Sequence, residues 1–206
     1  MVSGFLAHDL LWGMTPEQLP ADVPAWVIES IHAGQPVVVR RALSAPDLIA
    51  VGVRGRLREQ RFATLMPVDA VQRRVTPEAL CHVSIDRDLP AVHALNQFRP
   101  LLDDCGWVWG VSGSAGFELA SGFVALHEGS DLDLILRTPQ PLERAQAQQL
   151  LRILDRAACQ VDMQLQTPFG AVALREWASP ARRVLLKSAR EACLVVDPWN
   201  PLEQAA

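Results

Sequence analysis

The segment Asp131-Leu132-Asp133-Leu134-Ile135-Leu136-Arg137 restricts the fold more than any other stretch of the chain. Alternate positions of a strand face opposite sides of its sheet, with Cα atoms i and i+2 roughly 6–7 Å apart. The spacing predicts a strand in which Asp131 and Asp133 project together while Leu132 and Leu134 enter a core. Two carboxylates on one face repel each other unless a cation lies between them, and donors that are all oxygen favour Mg²⁺ over zinc. Gly113-Ser114 follows an apolar strand, Trp107 to Val111, and Asp162 stands between Val161 and Met163 in a third predicted strand. Glycine lets the backbone approach a phosphate, and a helix from Ala115 would turn its first amides toward the same anion. If the strand of Asp162 lies beside the first, three carboxylates can hold two metal ions about 3.5–4 Å apart, the arrangement for in-line displacement at phosphorus.

The remaining patterning gives two α/β segments. In the first, Asp22 is a candidate cap for a helix with Pro24 in its first turn, running through Trp26, Val27 and Ile31 to Gly34. Pro36 to Arg40 and Leu48 to Val53 read as strands, rich in Val and Ile. Thr76, Pro77 and Glu78 open a short turn of helix, and the polar segment Asp86 to Pro90 marks a domain boundary. The expected division is an N-terminal α/β domain over 1–85 and a second domain over 91–206. In the second, Ala91 to Asp104 is a helix stopped by Gly106, and Pro141 starts the longest helix. Gln160 to Gln166 is a strand with Gly170 to Leu174 as its hairpin partner. Ser179 and Pro180 begin a last helix through Lys187, and Ala192 to Val196 closes the sheet.

Composition excludes several classes. The chain has 206 residues, half of them hydrophobic and one fifth charged, which is globular chemistry rather than disorder or coiled coil. A net charge of -4 gives no reason to expect a nucleic-acid partner, and no apolar run reaches the length of a membrane helix. Met1 to Gly13 has no basic residue ahead of its apolar part, so it makes a poor signal peptide. Cys81, Cys105, Cys159 and Cys193 include no CxxC pair, so the expectation is buried thiols in a reducing cytoplasm. Charge is nevertheless uneven. Residues 36–75 hold arginines at 40, 41, 54, 56, 58, 61, 73 and 74 against only Asp47, Glu59 and Asp69. Guanidinium forks match phosphate and carboxylate, although from charge alone a solvated sheet face is the favoured account.

The ordered set of Gly-Ser after a strand, paired carboxylates on a second strand and a carboxylate on a third resembles the nucleotidyltransferase superfamily associated with polymerase β. The 16 residues between Ser114 and Asp131 exceed that family's usual interval, which a turn inserted around Ser121 to Gly129 would explain. With their flanks, GVSGSAGFELASG (110–122), SDLDLILR (130–137), VDMQLQTPFGAVALREWA (161–178) and HDLLW (8–12) resemble a narrower family. This is the phosphoribosyl-dephospho-CoA transferase, or holo-acyl-carrier-protein synthase, of malonate decarboxylase, and the likeness runs from His8 to Pro198. The resemblance implies an α+β nucleotidyltransferase fold, with a mixed sheet, flanking helices and the smaller N-terminal domain. It implies transfer of phosphoribosyl-dephospho-CoA from triphosphoribosyl-dephospho-CoA to a serine of the decarboxylase's acyl-carrier subunit, with release of pyrophosphate. It also implies Asp131, Asp133 and Asp162 as catalytic carboxylates and ligands of two Mg²⁺ ions, Asp162 serving as ligand or base, and Gly113 and Ser114 as the phosphate loop.

Three other readings compete. They are a nucleotidyltransferase with another protein or small-molecule acceptor, a DxD glycosyltransferase that leaves Gly113-Ser114 and Asp162 without a role, and a non-catalytic binding module. The arginine cluster has two candidate jobs, holding substrate phosphates or docking an acidic carrier. His8 and Asp9 open a string that could serve function but read first as an N-terminal packing segment, Lys187 could reach a phosphate but reads first as solvent-facing, and Ser130 reads equally as a turn cap or an orienter of Asp131.

Overall fold

Short Val- and Leu-rich segments form an N-terminal sheet of five strands: β1 (Leu10–Trp12), β2 (Val37–Val39), β3 (Leu48–Arg54), β4 (Arg61–Pro67) and β5 (Arg73–Val75). Their order is β4-β3-β2-β1-β5, with every pairing antiparallel. The helix α1 (Ala25–His32) packs Val27 and Ile31 against Val37, Val51, Val53 and Met66 in one core. The computed structural model describes residues 4–57 and 59–201, so Met1 to Ser3 and Arg58 of the arginine cluster lie outside the described residues.

The second half alternates helices and strands: α2 (Pro90–Asp103), β6 (Val108–Val111), α3 (Gly113–Ser121), β7 (Leu132–Arg137), α4 (Arg144–Leu154), β8 (Val161–Thr167), β9 (Gly170–Ala173), α5 (Leu174–Trp177), β10 (Val184–Lys187) and β11 (Ala192–Val195). The mixed sheet runs β11-β10-β9-β8-β7-β6, parallel only between β7 and β8. A parallel pair needs a crossover, and α4 supplies it. Leu132, Leu134 and Leu136 of β7 enter the larger core with Val161, Met163 and Leu165 of β8. The opposite face is polar apart from Ile135 and follows the register: Asp133 opposite Asp162, Ile135 opposite Gln164, Arg137 opposite Gln166.

This polar face is turned to the N-terminal half. Arg41 Nη2 donates to Gln166 Oε1 at 2.9 Å, and Arg137 Nε donates to Glu78 Oε1 at 2.7 Å. The link between the halves is short. β5 ends at Val75, Thr76 caps a 3-10 turn over Pro77–Leu80, and Leu80 and Cys81 already belong to the larger core. Among the described residues no helix is long and apolar enough to cross a membrane.

Three expectations are corrected, and three strands are added. Residues 179–187 form a turn and then the strand β10, because Val184 and Leu186 are buried between β9 and β11 and pairing on both sides overrides helix propensity. The longest helix is α2, not the one after Pro141, which begins only at Arg144. Pro24, rather than Asp22, occupies the cap of α1. β1, β4 and β5 are further strands; β4 has a mostly exposed or half-exposed pattern that carries little hydrophobic signal.

A Cβ added at Gly110 of β6 would lie 2.6 Å from Pro77. Gly110→Ala is therefore expected to wedge the 3-10 turn off β6 and destabilise the protein by about 1–3 kcal/mol, measured by urea unfolding.

Candidate active site

The centre of the polar face is Asp133. A Cβ built on Gly113 would lie 1.9 Å from Asp133 Oδ2, so the start of α3 rests directly on this carboxylate, and the φ of +60° at Gly113 also selects glycine. Ser112, the N-cap of α3, donates its backbone N–H to the Asp133 carbonyl at 2.9 Å. The first amides of α3 are thus presented beside Asp133, where the helix dipole favours negative charge. Asp162 is the register partner of Asp133 across the parallel pair, at the ~4.8 Å spacing of neighbouring strands. Gln160 Nε2 donates to both of its carboxylate oxygens at 2.9 Å. Like charges on paired strands repel, so this placement calls for a positive partner.

Asp131 lies one residue before β7 and is half-buried; its charge is felt by the Cys159 thiol, whose pKa burial and Asp131 together push up. Among the described residues no three His, Cys, Asp or Glu side chains converge as a ready metal-binding group. Asp133 and Asp162 are brought together, and Asp131 stands beside them in sequence. This oxygen-only set fits Mg²⁺, which is commonly held by one or two carboxylates with substrate phosphates completing the shell.

The N-terminal sheet faces this site with arginines. A cleft of about 460 Å³ is lined by Arg40, Arg54 and Arg61 on one side and by Ser112, Gly113 and Phe117 on the other. Arg54 Nη2 donates to Ser114 Oγ at 2.8 Å and to the Ala125 carbonyl at 3.2 Å, and its guanidinium lies 5.4 Å from the centre of the Phe117 ring. Burial, with Arg61 nearby, pushes its pKa down to about 10, against the opposing charges of Asp133 and Glu118. The sequence cluster therefore divides. Arg73 stacks on Trp12, and Arg74 pairs at 2.7 Å with the fully buried Asp9, both within the N-terminal half. A second cleft of about 290 Å³ is lined by Asp133, Asp162, Gln164, Arg175 and Lys187. A third of about 580 Å³ shares His8 and Arg40 with the first and Gln164 and Lys187 with the second. Lys187 thus sits on a strand at this junction.

One residue was not singled out by the sequence, and another was read mainly as packing. Glu118, 4% exposed, accepts from Arg87 Nη1 and from the backbone N–H groups of Ala125 and Leu126, each at 2.7 Å. It fixes the loop from α3 to Asp131, and its signal was an acid between Phe117 and Leu119 in an apolar helix. His8 lines the cleft instead of packing in a core. Ser130 Oγ accepts from the His127 N–H at 3.0 Å, which makes it a turn cap.

Both halves of the chain match family models. Residues 6–77 match the phosphoribosyl-dephospho-CoA transferase MdcG N-terminal domain and residues 79–198 its C-terminal domain. A phosphoribosyl-dephospho-CoA transferase of Pseudomonas fluorescens (strain Pf0-1) is 70% identical over 206 residues, covering 100% of both chains. Proteins of the same name from Pseudomonas aeruginosa (52% over 201 residues; 97% of this chain, 96% of the relative) and Azotobacter vinelandii (54% over 198; 94% and 93%) are also similar. No solved structure matches the chain. The arginine-faced cleft and these matches define a transferase. The chain belongs to the phosphoribosyl-dephospho-CoA transferase family.

Gly113→Ala is expected to force Asp133 away from the start of α3 and to lower turnover at least about 100-fold, the scale of a misplaced reacting group, while circular dichroism stays that of the wild type.

Proposed function

We propose that the chain transfers phosphoribosyl-dephospho-CoA from triphosphoribosyl-dephospho-CoA to a serine of the malonate decarboxylase acyl-carrier subunit, as a nucleotidyltransferase. The observation that carries this reading is the cleft itself: three arginines facing a glycine-started helix whose first turn rests on Asp133, with Asp162 alongside. The names of the relatives support the transferred group. Arg40, Arg54 and Arg61 bind the triphosphate, and the amides at the start of α3 hold one of its phosphates. This arrangement favours phosphate binding over carrier docking as the work of these three arginines. The acceptor serine oxygen bonds to the phosphorus next to the ribose, the bond from that phosphorus to pyrophosphate breaks, and a phosphodiester remains. Asp133 and Asp162, with Asp131, would hold Mg²⁺, which when bound supplies charge neutralisation for the triphosphate and the departing pyrophosphate. Positioning and charge stabilisation are the main requirements of phosphoryl transfer, and both are built into the facing surfaces.

Intact-mass spectrometry of the apo acyl-carrier subunit, incubated with this protein, Mg²⁺ and triphosphoribosyl-dephospho-CoA, tests the reading. The expected result is a mass gain of one phosphoribosyl-dephospho-CoA, lost with EDTA and reduced at least about 100-fold in Asp133→Asn. A folded, Mg²⁺-binding protein that leaves the carrier unmodified would overturn the acceptor. Arg54→Ala is expected to raise the KM for the triphosphate substrate roughly tenfold or more and leave that for the carrier unchanged, the effect of losing a charge-assisted contact.

A further inference from the structure

Apart from glycines, His8 alone among the described residues has a positive φ, at 78°. A left-handed backbone at a residue with a large side chain persists only where its surroundings over-determine it, and such positions collect at functional sites. Here the corner is pinned on both sides. The His8 N–H donates to the Val39 carbonyl at 2.9 Å, and the Val39 N–H donates to the Asp9 carbonyl at 2.8 Å. The Asp9 side chain, fully buried, holds Arg74 and accepts from the Leu6 N–H. From this corner the imidazole leaves its own sheet and lines a cleft together with Gln164 of β8. Gln164 is two residues from Asp162 on the same face, and His8 lines the cleft that holds Arg54, Ser112 and Gly113.

The ring's chemistry is set by the same neighbours. Burial, then Arg41 and Arg137, push its pKa down to about 4, so it is neutral at neutral pH. The Gln164 side chain acts in the other direction and raises the pKa, the effect of an amide oxygen on a ring N–H. That amide is oriented in turn, since Gln166 Nε2 donates to Gln164 Oε1 at 3.4 Å and Arg41 Nη2 donates to Gln166 Oε1 at 2.9 Å. A tautomer that donates to Gln164 carries its lone pair on the other ring nitrogen. A bound triphosphate would offset the charges of Arg41 and Arg137 and move that nitrogen's pKa upward, against the burial that is the largest cause of its low value.

We propose that His8 is the general base of the transfer, its ring nitrogen taking the proton of the acceptor serine hydroxyl; the assignment rests on the acceptor reading above. The serine oxygen's lone pair forms the new bond to phosphorus, and the O–H electron pair returns to that oxygen as the proton passes to the imidazole. The bond from phosphorus to pyrophosphate breaks with its electron pair on the leaving group, and the imidazolium later releases its proton to solvent. Asp162, with both oxygens already facing Gln160 Nε2, is then free of the role of base.

Two variants test this by the rate of mass gain on the apo acyl-carrier subunit. His8→Asn keeps a residue that tolerates the left-handed conformation, and His8→Gly leaves a ring-sized space. Both are expected to lose about 10²–10⁴-fold in kcat with the KM for triphosphoribosyl-dephospho-CoA within about twofold of wild type. Added imidazole is expected to restore His8→Gly at least about tenfold and to leave His8→Asn and the wild type unchanged. A corner residue with a purely structural role would lower thermal stability and shift KM, and would not respond to imidazole. A kcat for His8→Asn within about fivefold of wild type, or no imidazole response in His8→Gly, would overturn the assignment. If the unmodified protein does not modify the carrier at all, the acceptor reading fails first, and this assignment falls with it.

Discussion

Parallel strands pair position by position along one face, so setting Asp133 against Asp162 also sets Ile135 against Gln164 and Arg137 against Gln166. Each later feature of the interface follows from that register. The two acids lie at the end of the face where α3 begins and Arg54 docks, and the amide side chains lie at the end where Arg41 docks. A one-residue slip of β8 would send the carboxylate of Asp162 into the leucine core and Met163 into the cleft, which the burial of Val161, Met163 and Leu165 forbids. The hydrophobic side of the sheet thereby fixes the geometry of its polar side.

The N-terminal sheet contributes cations where the second sheet contributes anions. Neither half is a complete site. Arg54 reaches the start of α3 from the end of β3, and Arg41 reaches Gln166 from beyond the end of β2. Glu118 works one layer behind, holding the loop whose Ala125 carbonyl also receives Arg54. The arginines of one sheet are held partly by the folding of the other, so the cleft and the interface between the halves are the same surface.

Much of this was legible in the sequence because strand alternation is a local signal. Leu132 and Leu134 on one side and Asp133 on the other could be read from spacing alone, as could Val161, Asp162 and Met163. What could not be read was set by contacts between distant segments. Residues 184–187 look helical after Ser179-Pro180, and become a strand because β9 and β11 flank them. The arginines of 40–74 look alike in a line of sequence, and only the pairing of β3 with β4 sorts Arg54 and Arg61 toward the cleft from Arg73 and Arg74 beside β1. His8 opens the HDLLW string, yet its place in the cleft could not be read there, because it depends on one backbone angle and on a glutamine 156 residues away.

The seam between Gly110 and Pro77 bears on how the molecule moves. A hinge needs residues free to change φ and ψ, and here Thr76 alone separates the ladder of β5 from the turn packed on β6, with its hydroxyl accepting from Ala79. A swing about the linker would have to pull this turn off β6, so the packed seam opposes it. The arginine wall faces the start of α3, and Asp133 lies directly against Gly113 there. Charges already folded into place on both sides are the kind of arrangement that needs little reorganisation at the moment of bond making.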